Sequence, residues 1–381
     1  MALRSRIVAG TAIVVLALST ALVPAFGVRP EGGDLDVFSA YAARIVHGAV
    51  PYRDVALEYP PGALAAIVAP AVGSPAEHTY AARFAWGMLA LLAATIVLLA
   101  RRPRAALIVA LSPLLLGPVV LKRFDALPAL LTLIALLLAQ RRRWGWSGAA
   151  LGLGTAVKLY PVLLLPALAI AAGRRAAPRA VAAFVVACAA VVVPFLVLAP
   201  HGVVESVRSQ LGRHLQIETP LASVALLAHS FGLLDVGVVS EAHTYALGGT
   251  SGAGLGLLTW VAFVAALALV WWRAPRNDLV LTWAATLAAA VVLGRVLSPQ
   301  YLLWLLPVVP LVSRRVAALL VAAAVVTNVW YPASYLDVVV RQERGDLVLL
   351  VARNAVLSAL LAVLLLQVAR GRRRTSRAAT G

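Results

Sequence analysis

Two aspartates, Asp34 and Asp36, open a stretch in which Leu35, Phe38, Ala42 and Ile45 recur at intervals of three and four. That spacing predicts an amphipathic helix, and Gly48 is placed to end it. An aspartate in its first turn is held ionised by the helix dipole, and an ionised carboxylate can act as a general base on a hydroxyl. The plainer reading is a capped surface helix. Charged groups recur later: Lys122-Arg123 with Asp125, Lys158 before Tyr160-Pro161, and Arg295 before Ser298-Pro299-Gln300-Tyr301. Lys158 and Arg295 are embedded in apolar sequence, where an unpaired cation is costly and therefore a functional candidate. The plainer reading there is snorkelling towards head groups.

Around these charges lie Pro51-Tyr52-Arg53-Asp54 and Glu58-Tyr59-Pro60-Pro61-Gly62, a rigid turn beside aromatic rings. Further on comes Arg213-His214-Leu215-Gln216-Ile217-Glu218-Thr219-Pro220, in which His214 is a base, a phosphate donor or a polar residue of a surface helix. Other chemistries find no motif. No His, Cys, Asp or Glu spacing resembles a zinc site, and Gly148, Gly152 and Gly154 read as close helix packing. Neither a phosphate-binding glycine loop nor a GxSxG elbow is present. One cysteine, Cys188, excludes a disulfide framework, a Cys-based metal site and a c-type haem.

The elements that must position these groups follow from composition. The chain has 381 residues, 62% hydrophobic and 13% charged, against roughly 45–50% and about 25% in soluble domains. That rules out a soluble enzyme, a disordered chain and a classical DNA binder. The first apolar run, Ile7 to Val28, predicts a membrane helix starting in the cytoplasm. Further segments lie near 80–100, 105–121, 126–140, 147–157, 160–172, 180–199, 252–272, 279–297, 300–313, 316–333 and 347–369. Several fall short of the ~20 residues that cross a bilayer. Short pairs meeting at a polar dipeptide imply helices that stop below a water-filled cavity.

Basic clusters alternate with these segments and hold 20 of the 33 Lys and Arg residues beside one acid, Asp278. The positive-inside rule places them in the cytoplasm. The expectation is an all-α polytopic membrane protein of about twelve spans, with both termini inside. Residues 1–369 form one membrane domain and 370–381 a basic cytoplasmic tail. The outer face then carries residues 29–79 and 200–250, with Leu221 to Leu234 in or dipping into the outer leaflet. Of the net charge of +18, the cytoplasmic clusters take 20 cations and one acid; the remaining 13 cations face 14 acids. The excess orients the chain in a bilayer and does not imply a nucleic-acid partner.

Outward-facing cations beside an activated carboxylate suit one task. A lipid-phosphate leaving group needs fixed positive charge, and a sugar hydroxyl needs a base. No metal or cofactor is required if Lys and Arg do the electrostatic work. The rival is a transporter or flippase of a lipid-linked precursor, which predicts an internal repeat and matched broken helices. No convincing repeat is present, and the charges gather at one face.

At this point the motifs carry a likeness. Asp34-Leu35-Asp36-Val37-Phe38, then Gly48, Pro51-Tyr52 and Glu58-Tyr59-Pro60-Pro61, resemble the first outer loop of glycosyltransferase family 87. Lys122 to Pro128, Gly152 to Pro161, Gln216-Ile217-Glu218-Thr219 and Ser298 to Trp304 are similar in the same order along nearly the whole chain. Phe38 stands where such proteins usually carry tyrosine. The resemblance implies a GT-C fold with its site at the outer membrane surface. It also implies a polyprenyl-phosphate sugar donor, carrying mannose or arabinofuranose, and a glycolipid or cell-envelope glycan acceptor, in an actinobacterial cell membrane.

Asp34 is the better match by position for the catalytic acid, with Asp36 its rival. Lys158 and Arg295 are expected to hold the donor phosphate, assisted by Lys122 or Arg123. Tyr52, Glu58, Tyr59, Asp125, Tyr160, His214, Gln216, Glu218, Gln300 and Tyr301 are candidates for sugar and acceptor contacts. A single inverting displacement needs one base.

Overall fold

The computed structural model describes residues 2–23, 33–74, 76–241, 244–331, 334–335 and 337–371. The expected start of the first outer loop, 29–32, and the tail 372–381 lie outside them. The protein is a helical membrane protein. Among the described residues, five helices are long and apolar enough to cross a bilayer: Leu3–Ala21, Glu77–Leu98, Tyr160–Leu198, Gly249–Arg273 and Arg344–Arg370.

The middle one is two arms: Gly173, at φ 74° and ψ 169°, breaks it beside Arg174-Arg175, between the segments expected at 160–172 and 180–199. Other segments are shorter than the sequence predicts. The run near 105–121 is interrupted by Pro113 and by Gly117-Pro118, and Gly117 takes φ 67°. The run near 300–313 is divided into three short helical pieces, with Pro307 and Pro310 inside it. Proline removes a backbone donor and clashes with the preceding turn, so neither run forms one continuous helix.

The centre of the bundle is Leu279–Val292, in which 11 of 14 residues are buried. A helix apolar on all sides belongs inside other helices, and Gly249–Arg273 and Arg344–Arg370 pack against it. Asp278 starts it by accepting from the Leu281 amide at 2.8 Å. Trp144–Val157 lies against the 174–198 arm, where Gly148 and Gly152 meet the backbone of Ala180 and Phe184 so closely that no Cβ fits. Those glycines do serve close packing.

The segments expected on the outer face are ordered by local chemistry. Asp34–Val46 buries Leu35, Phe38 and Ala42, the stripe that its spacing predicts. Gly48, at φ 100°, follows its last turn. Tyr52 is held at φ 68°, an uncommon conformation for a bulky residue, with its hydroxyl donating to the Tyr59 carbonyl at 2.7 Å. A Cβ on Gly62 would lie 2.7 Å from the backbone of Ala156, so the Pro60-Pro61-Gly62 turn rests directly on the end of the 144–157 helix.

One feature departs from the expected all-α fold. Gly237–Glu241 and Thr244–Gly248 form an antiparallel hairpin, and Leu215 to Ile217 joins its edge through Ile217 to Tyr245 (3.1 Å) and Leu247 to Leu215 (2.9 Å). Val238, Val239 and Tyr245 are residues that favour a pleated surface. Pro220–Ser230, expected at the outer leaflet, packs on Arg344–Arg370, with Asn354 Nδ2 donating to Ser223 Oγ at 2.8 Å.

Candidate active site

Two helices of the bundle end at the same place. Asp125 immediately precedes the 126–140 helix and Lys158 immediately follows the 144–157 helix. Both line a cavity of about 560 Å³. Its other walls are the Asp34–Val46 helix, Glu58-Tyr59, Arg123-Phe124, Gln210 to Glu218, the hairpin residues Thr244-Tyr245 and the Ser298–Tyr301 turn. The pair of short helices thus stops below a polar chamber, as the interrupted hydropathy predicts.

The charges are arranged in pairs. Asp34 forms an ion pair with Arg123. Lys158 Nζ lies 2.6 Å from Asp125 Oδ1, which also accepts from Trp304 Nε1 at 2.6 Å. The ammonium sits 5.2 Å from the Phe124 ring, 4.9 Å from Tyr301 and 5.2 Å from Trp304. Arg213 reaches Glu58 at 3.4 Å. Each of the three lining cations therefore faces one carboxylate.

A fourth lining acid, Glu218, is buried. Desolvation pushes its carboxyl up to about 7, against the lowering effect of Arg353 and Arg123. Gln216 Nε2 donates to it at 2.7 Å. Behind it, Arg353 and Asn354 donate to the Glu218 carbonyl at 3.0 and 3.1 Å. The cavity is close to electrically neutral until something charged enters it.

Of the residues singled out in the sequence, Asp34, Glu58, Tyr59, Arg123, Asp125, Lys158, Gln216, Glu218, Gln300 and Tyr301 come together on this wall. Six do not line it. Asp36 turns back on its own helix, accepting from the Gly33 amide at 3.1 Å. Tyr52 supports the Tyr59 turn from behind, edge-on to Phe195. Tyr160 stacks on Trp304 at 4.0 Å and meets Thr132 with its hydroxyl, one layer back. His214 is mostly exposed and bonded to Glu241 at 3.0 Å. Arg295 contributes its carbonyl, which holds the Gln216 amide at 2.8 Å. Lys122 lies off the wall beside Arg123.

Several lining residues carried no role in the sequence reading. Arg213 stood inside a polar run already noted, and Tyr41 lies two turns after Asp34 on the same helical face, so both had a local signal. Arg353 and Asn354, which stand behind Glu218 and do not line the cavity, are polar residues inside a long apolar helix, which is also a signal. Tyr245, Tyr331 and Tyr335 had none, because only the tertiary fold brings them here. Among the described residues no group of three His, Cys, Asp or Glu side chains is placed to hold a metal ion.

The chamber brings carboxylates, cations and aromatic rings together inside a membrane bundle. No curated protein matches the chain. The model of glycosyltransferase family 87 matches residues 57–299, a span that includes Glu58, Arg123, Lys158, Arg213 and Glu218 and begins after Asp34. That match covers more than half of the sequence, and the chain belongs to glycosyltransferase family 87, a family of membrane glycosyltransferases.

Proposed function

We propose that this enzyme transfers a sugar from a polyprenyl-phosphate donor to a glycolipid or cell-envelope glycan, with mannose the first candidate and arabinofuranose the second. The reaction is a single inverting displacement at the extracytoplasmic face, with both termini in the cytoplasm. Asp34 takes the proton of the acceptor hydroxyl as its oxygen forms a bond to the anomeric carbon. The bond from that carbon to the phosphate oxygen breaks, and the polyprenyl phosphate leaves with the electron pair. Arg123 and Arg213 receive its charge, backed by Lys158. No metal takes part in this scheme.

The observation that carries this reading is the position of Asp34. Its carboxylate lines the cavity against Arg123, whereas Asp36 is engaged with the Gly33 amide. Arg123 neutralises Asp34. A donor phosphate offers Arg123 a better partner, and the exchange frees the carboxylate to act as base once the donor is in place. Gln300, Tyr301, Tyr59 and Glu218 supply hydroxyl partners for the sugar.

The test is transfer from polyprenyl-phosphate mannose in proteoliposomes. Asp34→Asn is expected to lower the rate by about 10²–10⁴-fold, the usual worth of a general base, while Asp36→Asn retains most of it. Activity that survives Asp34→Asn and dies with Asp36→Asn moves the base by two residues. Unchanged activity in both removes the mechanism.

A further inference from the structure

A second cavity, of about 1170 Å³, lies at the opposite end of the helices that build the active site. The 126–140 and 144–157 helices connect the two. Asp125 and Lys158 stand at one end, and Gln140 and Trp144 line the second cavity at the other. Fifteen residues at 1.5 Å each separate the ends by ~22 Å. No step of the proposed sugar transfer uses this cavity.

Its lining brings together parts of the chain that are far apart in sequence. Residues 139–144, 167–172, 274–282 and 370–371 converge there, and each adjoins or contains a basic cluster: Arg141 to Arg143, Arg174-Arg175, Arg273 with Arg276, and Arg370. Arg142 and Arg370 line the cavity itself and are exposed. Arg142 sits at φ 57°, a left-handed conformation that costs a non-glycine residue energy and is commonly retained at functional positions.

The acid of the lining and one of its two amides are engaged with backbone. Asp278 accepts from the Leu281 amide at 2.8 Å, and Asn277 donates to the Arg273 and Val368 carbonyls at 3.1 Å each. Gln140 and Thr282 are the other uncharged polar residues of the lining, and Ala167, Ile170, Ala171, Val280 and Leu311 form its apolar stretch. Trp144 adds an amphipathic ring of the kind found at membrane–water interfaces.

We propose that this cavity is a binding site for an anionic phospholipid, with the head-group phosphate between Arg142 and Arg370 and an acyl chain along the apolar wall. A basic pocket between membrane helices on the cytoplasmic side is the type of site that takes acidic lipid head groups. A free phosphate would satisfy the arginines and leave the apolar wall wet. A zwitterionic lipid would satisfy the wall and bring its own cation to the arginines.

The experiment is native mass spectrometry of the full-length protein, delipidated in detergent and supplied with dioleoyl phosphatidylglycerol or dioleoyl phosphatidylcholine. The expected result is at least about tenfold preferential retention of the phosphatidylglycerol, unchanged by millimolar inorganic phosphate. Replacing both arginines, Arg142→Gln with Arg370→Gln, is expected to reduce its retention to the level of phosphatidylcholine. Either single variant carries the same test, with a partial loss, if the double variant does not fold. Equal retention of the two lipids overturns the proposal. So does undiminished phosphatidylglycerol binding by the variants, or displacement of the lipid by phosphate alone.

Discussion

Two aspartate–cation pairs stand within one cavity and differ in the burial of the carboxylate and in their neighbours. Asp34 and Arg123 keep side-chain exposures of 26% and 19%, whereas Asp125 and Lys158 keep 2% and 15%. Asp125 has Trp304 as a second donor, and Lys158 is surrounded by three aromatic rings. An ion pair near water is worth little and can change partners. A buried one is costly to make and more costly to break, because either member alone is an uncompensated charge. Similar charges thus stand in unlike settings: in the proposed mechanism the more exposed pair exchanges partners with the donor phosphate, while the buried pair joins the ends of two helices.

The same chemical change in the two pairs is the sharpest way to break this comparison. Asp34→Asn should abolish most of the transfer, by the factor given above, with little movement of the thermal midpoint. Asp125→Asn should instead lower stability by about 3–5 kcal/mol, the usual cost of orphaning a buried charge, read from unfolding in detergent. Equal destabilisation by both variants would mean that the pairs do not differ in kind. Next in size is Trp304→Phe, which keeps a ring beside Lys158 and removes the donor to Asp125. A loss of about 1.5–3 kcal/mol is expected, as for hydrogen bonds to charged groups.

Smaller still is Arg123→Gln. If Arg123 changes partner on binding, this variant raises the KM for the donor about tenfold, one charge-assisted contact or roughly 1.4 kcal/mol, without a change in stability. The last effect is read against pH and belongs to Glu218, whose carboxyl is raised from 4.5 to about 7. The folded protein holds this proton over a range in which the unfolded chain has released it. Stability therefore falls as pH rises from about 4.5 through about 7. Glu218→Gln should flatten the thermal midpoint over that window; an identical pH profile would place the Glu218 carboxyl near its ordinary value.

Much of the site was legible before the fold, for an energetic reason. Lys158, Asp125 and Arg123 are conspicuous because charge inside apolar sequence must be paired or wetted, and one cavity satisfies all of them. The Asp34–Val46 helix was equally plain from its stripe of Leu35, Phe38 and Ala42. The choice between Asp34 and Asp36 was not, since both occupy the first turn. Only the helix phase places Asp36 over the Gly33 amide and Asp34 over the chamber. Arg295 was conspicuous for its side chain, yet what it contributes is a carbonyl, and main-chain contacts leave no mark on residue type. Tyr331 and Tyr335 reach the wall from a segment without periodic signal. The hairpin at 237–248 is short, and two strands of five residues are too brief for alternation to speak clearly.

One consequence follows from the seat of Gly62 on the Ala156 backbone. The loop that carries Tyr59 and the helix end that carries Lys158 touch there with no side chain between them, so the spacing of the two halves is gauged by bare polypeptide. A methyl group added at position 62 would act as a shim. It would move every group on one side relative to every group on the other while deleting none of them. Displacements on the order of 1 Å between reacting groups are enough to cost about a hundredfold in rate. The dimensional tolerance of this enzyme is thus set at a residue that has no functional group at all.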